Sequence, residues 1–96
     1  MENNNIQRGD DVWVKPTGMQ PIKPMNGQYY TETELEHYVG PSRKEYIFGP
    51  RVLITDAEGK TRGRLPNRIA TGWIVNDGYS DWVAGDAILV SRDNIR

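Results

Sequence analysis

The chain has 96 residues, a formal net charge of -1 and no cysteine. This length suits one domain with a thin core, and the near-neutral charge excludes a basic field over the whole molecule, so nucleic acid would need a local patch. The lack of cysteine excludes a cysteine nucleophile and favours an intracellular protein over a small secreted one. With no signal-peptide pattern at the N-terminus and no apolar run of about 18 residues, we expect a cytoplasmic protein, or a virion component if the source is a phage.

The first half of the chain combines one strand signal with a long irregular connection. We expect residues 1–7 to be a polar tail, followed by a turn and a strand at 11–15, where valine and tryptophan alternate. Residues 16–27 contain three prolines and two glycines, so we expect an extended loop there. We assign 8–96 to a single domain with an irregular insertion at 16–44.

One helix signal lies inside that insertion, at residues 31–41. Thr31 can cap the helix, and Glu34, three residues later, completes a capping box. Gly40 and Pro41 end the helix, and its apolar edge consists of Leu35, Tyr38 and Val39. Because two turns of helix do not persist alone in water, we expect this helix to pack on the rest of the domain.

Short β-branched and aromatic runs, separated by turn residues, predict strands in the second half. The predicted segments are 46–55, interrupted at Gly49-Pro50, and then 60–62, 69–75, 79–83 and 87–91. With the first strand they indicate a mainly β fold of five to six short antiparallel strands with one short helix in a long connection. The opening at 9–14 (GDDVWV) and the ending at 86–95 resemble the SH3-like small-barrel class, which implies a small SH3-like barrel or β-roll.

The stretch at 71–85, TGWIVNDGYSDWVAG, predicts a hairpin whose loop length decides its core. A two-residue loop at 77–78 places Trp73 opposite Trp82 on one face. A three-residue loop at 76–78, with Gly78 left-handed, turns Trp73 into the core and leaves Trp82 on the outer face. We favour the second register because it gathers more large apolar side chains on one face.

Exposed aromatic residues are the first candidates for a binding site. Trp82 either covers a small cluster with Ile74 or contacts a partner, since tryptophan is enriched at interface hot spots. The simplest cover for Trp82 is the predicted helix or the Tyr29-Tyr30 segment beside it. We therefore list Trp82, Tyr29 and Tyr30 as candidate partner-binding residues.

A basic run supplies the second candidate surface. Lys60, Arg62, Arg64 and Arg68 place four positive charges in nine residues with no acid among them. Such a run is either a solvated loop or a contact for phosphates or for an acidic protein face. Nucleic acid would be held by this run without sequence readout, because it offers phosphate contacts only.

Catalytic and metal sites lack their usual residues. His37 is the only histidine and lies in a glutamate-rich helix, so neither a Ser-His-Asp triad nor a zinc site is indicated. No EF-hand spacing or complete phosphate-binding loop is found. We predict no catalytic residue, no metal and no cofactor.

One resemblance points to an enzyme. The runs at 8–14 and at 50–55 are similar to two strands of the MazF/PemK-type toxin endoribonucleases, which share the small-barrel class. By that resemblance Arg51 would match the arginine that those enzymes use with a hydroxyl residue to cut RNA. The connection between the two runs is longer here and contains a helix, and no hydroxyl residue can be assigned.

The sequence therefore favours a non-enzymatic binding or assembly module. Its expected partner is another macromolecule, most simply a protein or a second copy of the chain, and no membrane. An accessory, virion or inhibitor protein of a bacterium or phage fits this size. The alternative is an RNA-binding barrel, or an RNA-cleaving barrel of the MazF/PemK type.

Overall fold

A computed structural model describes residues 9–95, which form one antiparallel sheet with two short helices. The predicted tail at 1–7 lies outside the described residues. The mainly β fold is confirmed. The elements are β1 Val12–Lys15, β2 Gly18–Pro21, α1 Glu32–Val39, β3 Arg43–Phe48, β4 Arg51–Asp56, α2 Arg68–Asn76, β5 Ala87–Ser91 and a 3-10 helix at Arg92–Asn94.

The five strands are arranged in the order β2-β1-β5-β4-β3. All four pairings are antiparallel, and the central strand β5 joins the β1–β2 hairpin to the β3–β4 hairpin. Within residues 9–95, β2 and β3 remain unpaired on their outer sides, so the sheet is open and the predicted closure into a barrel is not observed.

Alternation along the strands divides the core between the two faces of the sheet. Leu53 points toward α2 and packs with its buried residues Ala70 and Ile74. The neighbouring Val52 and Ile54 point the other way. There they pack with Tyr30 and with the two buried apolar residues of α1, Leu35 and Val39. The sheet therefore lies between the two helices, and each helix covers its own cluster.

Helix α1 confirms the prediction made from its local signals. The Thr31 hydroxyl accepts a hydrogen bond from the backbone N–H of Glu34 at 3.2 Å, as an N-cap should. The predicted return bond of the capping box is not observed, because the Glu34 carboxylate accepts from the N–H of Met25 at 2.9 Å. At the other end the N–H of Gly40 bonds to the carbonyl of Glu36. The helix packs on β4 and β5, which supplies the support that eight residues need.

Two strand predictions around the loops were wrong. Residues 18–21, predicted to be loop, form β2, whose backbone pairs with β1 from Gly18 to Pro21. Residues 60–62, predicted to be a return strand, lie in successive turns closed by hydrogen bonds from Arg62 N to Glu58 O and from Gly63 N to Lys60 O. Strand β4 pairs with β5 and β3 instead, so no edge is left for residues 60–62.

The predicted hairpin at 71–85 was also wrong. Residues 68–76 form α2 instead of a strand, and residues 79–83 form no regular strand, so neither register exists. Asn67 caps the helix by accepting from Ala70 N at 3.1 Å. The apolar residues Ile69, Ala70, Trp73 and Ile74 recur at helical spacing. This spacing competed with the strand preference of the β-branched residues.

The Asn76-Asp77-Gly78 sequence ends a helix instead of turning a hairpin. The N–H of Tyr79 bonds to the carbonyl of Ile74, and the N–H of Gly78 bonds to the carbonyl of Val75. This pair of bonds is the Schellman motif, which needs a left-handed residue after the helix. Gly78 has φ +96°, so the predicted positive φ is observed, but its cause is the helix end.

Asn67 also ties α2 to the sheet. Its side-chain amide is buried and donates to the carbonyls of Val14 and Gly85, both at 2.9 Å. Its backbone N–H donates to the carbonyl of Val83. Residue 67 therefore fixes both the start of α2 and the segment that follows the helix.

Candidate protein-binding surface

The segment after α2 returns along the helix and exposes Trp82. The backbone N–H of Val83 donates to the Thr71 hydroxyl at 2.9 Å, which anchors the segment to the helix. Val83 is buried in the core under α2, while the neighbouring Trp82 is 44% exposed. Anchoring on one side and exposure on the other give this tryptophan a fixed place at the surface.

Asp81 organises the side chains around Trp82. Its carboxylate accepts from Lys60 Nζ at 2.6 Å, Lys44 Nζ at 2.9 Å, the Tyr46 hydroxyl at 2.7 Å and the N–H of Trp82 at 2.8 Å. These hydrogen bonds hold the pKa of Asp81 well below its usual range, and the bond from Lys60 has the largest effect. Two ammonium groups share one carboxylate, so the cluster retains a net positive charge.

Both lysines also lie over aromatic rings. Lys60 Nζ is 4.7 Å from the centre of the Trp82 ring, and Lys44 Nζ is 5.3 Å from the centre of the Tyr46 ring. Contacts of this length are favourable cation–π interactions. They restrain two side chains that would otherwise move freely in water.

Tyr79 extends the same surface toward β3. Its ring lies edge-on to Tyr46, with 5.0 Å between ring centres, and to Phe48, with 6.5 Å. Tyr79 itself is an exposed residue. We call the surface formed by Trp82, Tyr79, Lys44 and Lys60 around Asp81 the aromatic–lysine surface.

The two predicted tyrosines lie elsewhere. Tyr30 is fully buried with α1, and its hydroxyl donates to Asp11 Oδ2 at 2.9 Å. Burial, and then this hydrogen bond, raises the pKa of Tyr30. Tyr29 is half-buried. The expected cover of Trp82 by the helix or by these tyrosines is wrong, because α1 packs on the opposite face of the sheet from the cluster that contains Val83.

The four cations of the basic run have different surroundings. Lys60 is held by Asp81, and Arg62 lies 3.0 Å from Glu58 and 3.8 Å from Asp56. Arg64 and Arg68 are exposed and form no ion pair with the residues at 9–95. Two of the four cations of the run are therefore paired with acidic side chains of the same chain.

A cleft of about 580 Å³ opens between the end of α1 and the turn at 63–65. Its charged lining includes Lys15, Arg64, Asp56 and Asp86. Several of these groups already have partners: Lys15 lies over Trp13, and Asp86 accepts from the Trp13 indole. Small-molecule sites are mostly apolar, so this mixed and partly paired lining does not resemble one.

The arginine suggested by the endoribonuclease resemblance has a structural contact. The Arg51 guanidinium donates to the backbone carbonyl of Asp10 and so ties β4 to the chain before β1. Among residues 9–95, no three histidine or acidic side chains are grouped as a metal site would require. Nor does the described part of the chain contain a helix long and apolar enough to span a membrane.

Of the residues in this candidate surface, Trp82 and Lys60 were proposed from the sequence, whereas Asp81, Lys44 and Tyr79 were not. Lys44 and Asp81 are 37 positions apart, and local patterns do not show which distant charges meet. The chain matches no protein-family model, and no curated protein and no solved structure is significantly similar to it.

Proposed function

We propose that this protein is a non-enzymatic binding module whose partner is another protein, contacted through the aromatic–lysine surface. The observation that carries the proposal is the exposed Trp82 ring, which Lys60 and the Asp81 cluster hold in place. An exposed tryptophan leaves much apolar surface in contact with water, and binding of a partner would bury that surface. A ring that is already held in place also loses less conformational entropy on binding.

The charge of this surface favours a partner with acidic groups at the edge of its contact. Each lysine ammonium has three donors and uses one on Asp81. The remaining donors can meet carboxylates of the partner around a central aromatic contact. The small hollow beside Trp82, about 70 Å³, is below the size of a ligand pocket. The shape thus favours a macromolecule over a small molecule.

Trp82→Ala tests the proposal, with Leu65→Ala as the matched control. Leu65 is also a large exposed apolar residue, 67% exposed, but it lines the cleft at 63–65. Wild type and both variants, immobilised in equal amounts, are exposed to extract of the source cells, and retained proteins are quantified. We expect a protein retained by wild type and Leu65→Ala, with affinity for Trp82→Ala lower by about 30-fold, or about 2 kcal/mol.

Equal retention by all three proteins would contradict the proposal. Retention of nucleic acid, lost at high salt and lost when Arg64 and Arg68 are changed to glutamine, would favour the nucleic-acid alternative instead. Since Trp82 is nearly half exposed, Trp82→Ala should leave the protein folded, and circular dichroism of the variant checks this before binding is measured.

A further inference from the structure

Strand β3 leaves one edge of the sheet open. The N–H of Ala57 donates to Ser42 O at 2.8 Å, which sets the hydrogen-bonding phase of the β3–β4 ladder. In an antiparallel pair this phase alternates. The N–H and C=O groups of Arg43, Glu45 and Ile47 therefore point away from β4, and the described residues give these groups no backbone partner.

The two edges of the sheet are protected to different degrees. β2 is four residues long and ends in Pro21, features that discourage pairing with another chain. β3 has six residues and no proline. Helix α1 packs on β4 and β5, so it leaves Ile47 on the outer part of that face 41% exposed.

Charged side chains usually protect an edge strand, but most of those on β3 are already paired. Arg43 bonds to Glu32 at 2.7 Å, and Lys44 bonds to Asp81 at 2.9 Å. Glu45 forms no ion pair with the residues at 9–95. The strand therefore presents, beside an apolar residue, one carboxylate that has no ion-pair partner among the described residues.

We propose, building on the proposed function, that an extended segment of the partner protein adds to β3 as a sixth strand. On one face its apolar side chains would lie beside Tyr79, next to the aromatic–lysine surface. On the other face a lysine or arginine would lie opposite Glu45. Main-chain bonds would supply affinity, and the alternating side chains would supply selectivity, as in other cases of strand addition.

A second copy of the chain fits this edge less well. An antiparallel pair about a two-fold axis at Glu45 would place two carboxylates directly opposite each other. An axis at Lys44 would oppose two ammonium groups, and an axis at Tyr46 would oppose Glu45 with Ile47. The axis at Lys44 would also place Arg43 opposite Glu45, but that arginine is already bonded to a glutamate of α1 at 2.7 Å. A heterologous segment with a free basic side chain is therefore the better occupant.

Glu45→Pro tests the main-chain part of the proposal. Proline removes the outward N–H and blocks an added strand, while the β3–β4 ladder keeps all its bonds. Lys44 is already extended, as the residue before a proline must be. Glu45→Gln is the control because it removes the charge and retains the N–H. An unchanged melting temperature and circular dichroism spectrum verify each fold.

Two capped eight-residue peptides serve as probes. Each has valines on one face and threonines on the other, with one central threonine replaced by lysine or by glutamate. Binding is followed by NMR at the amides of residues 43, 45 and 47. We expect the lysine peptide to bind about fivefold more tightly than the glutamate peptide, Glu45→Lys to reverse this order, and Glu45→Pro to bind neither.

Retained binding by folded Glu45→Pro, or shifts located away from β3, would overturn strand addition. Strand addition would also be overturned if neither peptide bound at millimolar concentration, or if wild type and Glu45→Lys showed the same order of affinity for the two peptides.

A dimer in light scattering that Glu45→Pro abolishes would assign the edge to a second copy and overturn the basic segment. A partner lost with Trp82→Ala but retained with Glu45→Pro would leave the proposed function intact and refute the strand addition alone. If Glu45→Pro does not fold, the reversal with Glu45→Lys decides.

Discussion

At the scale of single residues, Gly59 marks the closest backbone approach in the turn after β4. A Cβ at this position would collide with the carbonyl oxygen of Ala84 and lie 3.1 Å from its carbonyl carbon. Both groups are backbone, so relief requires that the turn move away from the segment that leads into β5. We expect Gly59→Ala to lower the free energy of unfolding by about 1–3 kcal/mol, measured by urea unfolding.

Gly72 supplies the control for that measurement. It lies within α2, and a Cβ there would have no neighbour within 4 Å. Alanine is favoured over glycine in a helix by about 0.5–1 kcal/mol, so Gly72→Ala should stabilise the protein. Equal effects of the two changes would show that the approach of Gly59 to Ala84 has no energetic importance.

Asp81 makes the stability of the protein depend on pH. Its folded pKa lies below that of the unfolded chain, so its contribution is complete above about pH 4 and is lost as the pH falls further. We expect Asp81→Asn to destabilise by about 1 kcal/mol at pH 7. That difference from wild type should persist at pH 5 and narrow at pH 3. Asp93→Asn, at an exposed position, is the control, and a difference that grows toward pH 3 would refute this account.

At the scale of elements, the cap of α2 depends on contacts beyond the helix. Asn67→Asp keeps an oxygen for Ala70 N but replaces the donor that serves Val14 O and Gly85 O. A buried carboxylate would then face two carbonyl oxygens, so we expect a loss of about 2 kcal/mol or more, although aspartate is a good N-cap. Denaturant unfolding measures it, with Thr31→Asp at the exposed cap of α1 as the control. A neutral Asn67→Asp would show that capping alone matters.

The two helices show which elements a sequence can reveal. The signals of α1 are local, from Thr31 to Gly40, and its prediction was confirmed. The segment that forms α2 contains β-branched residues and ends in Asn76-Asp77-Gly78, a sequence that suits both a hairpin turn and a Schellman helix end. Asn67 favours the helix over the hairpin, because its amide bonds to chain segments 53 and 18 positions away.

The candidate surface could be predicted in part for the same reason. Trp82 and Lys60 stand out by residue type and local charge. Asp81 brings them together with Lys44 through contacts 21 and 37 positions apart. Tyr30 was predicted from the sequence to be a partner-binding residue. Its hydroxyl instead donates to Asp11, 19 positions away, and this hydrogen bond permits the full burial of the tyrosine.

At the scale of the whole molecule, the strands β1, β3, β4 and β5 were predictable and their arrangement was not. The residues of a strand can identify it as a strand, but they do not show how the assembled sheet is covered. Here both faces of the sheet are covered. The barrel prediction rested on the spacing of the strands and on the runs at 9–14 and 86–95, and neither shows how many faces of the sheet are covered. Once residues 68–76 form a helix, they cover the second face, and the open sheet becomes the better arrangement.

The central position of β5 has a consequence for the kinetics of folding. The β1–β2 and β3–β4 hairpins can form early, but a two-stranded hairpin is marginal in water. β5 is the strand that joins them, and contacts such as Trp13 with Asp86 span 73 positions of the chain. Closing so long a loop costs chain entropy before the contacts that offset this cost have formed. The rate-limiting step should therefore be the docking of β5 between two fluctuating hairpins, and the protein should fold slowly for its size, in milliseconds to seconds.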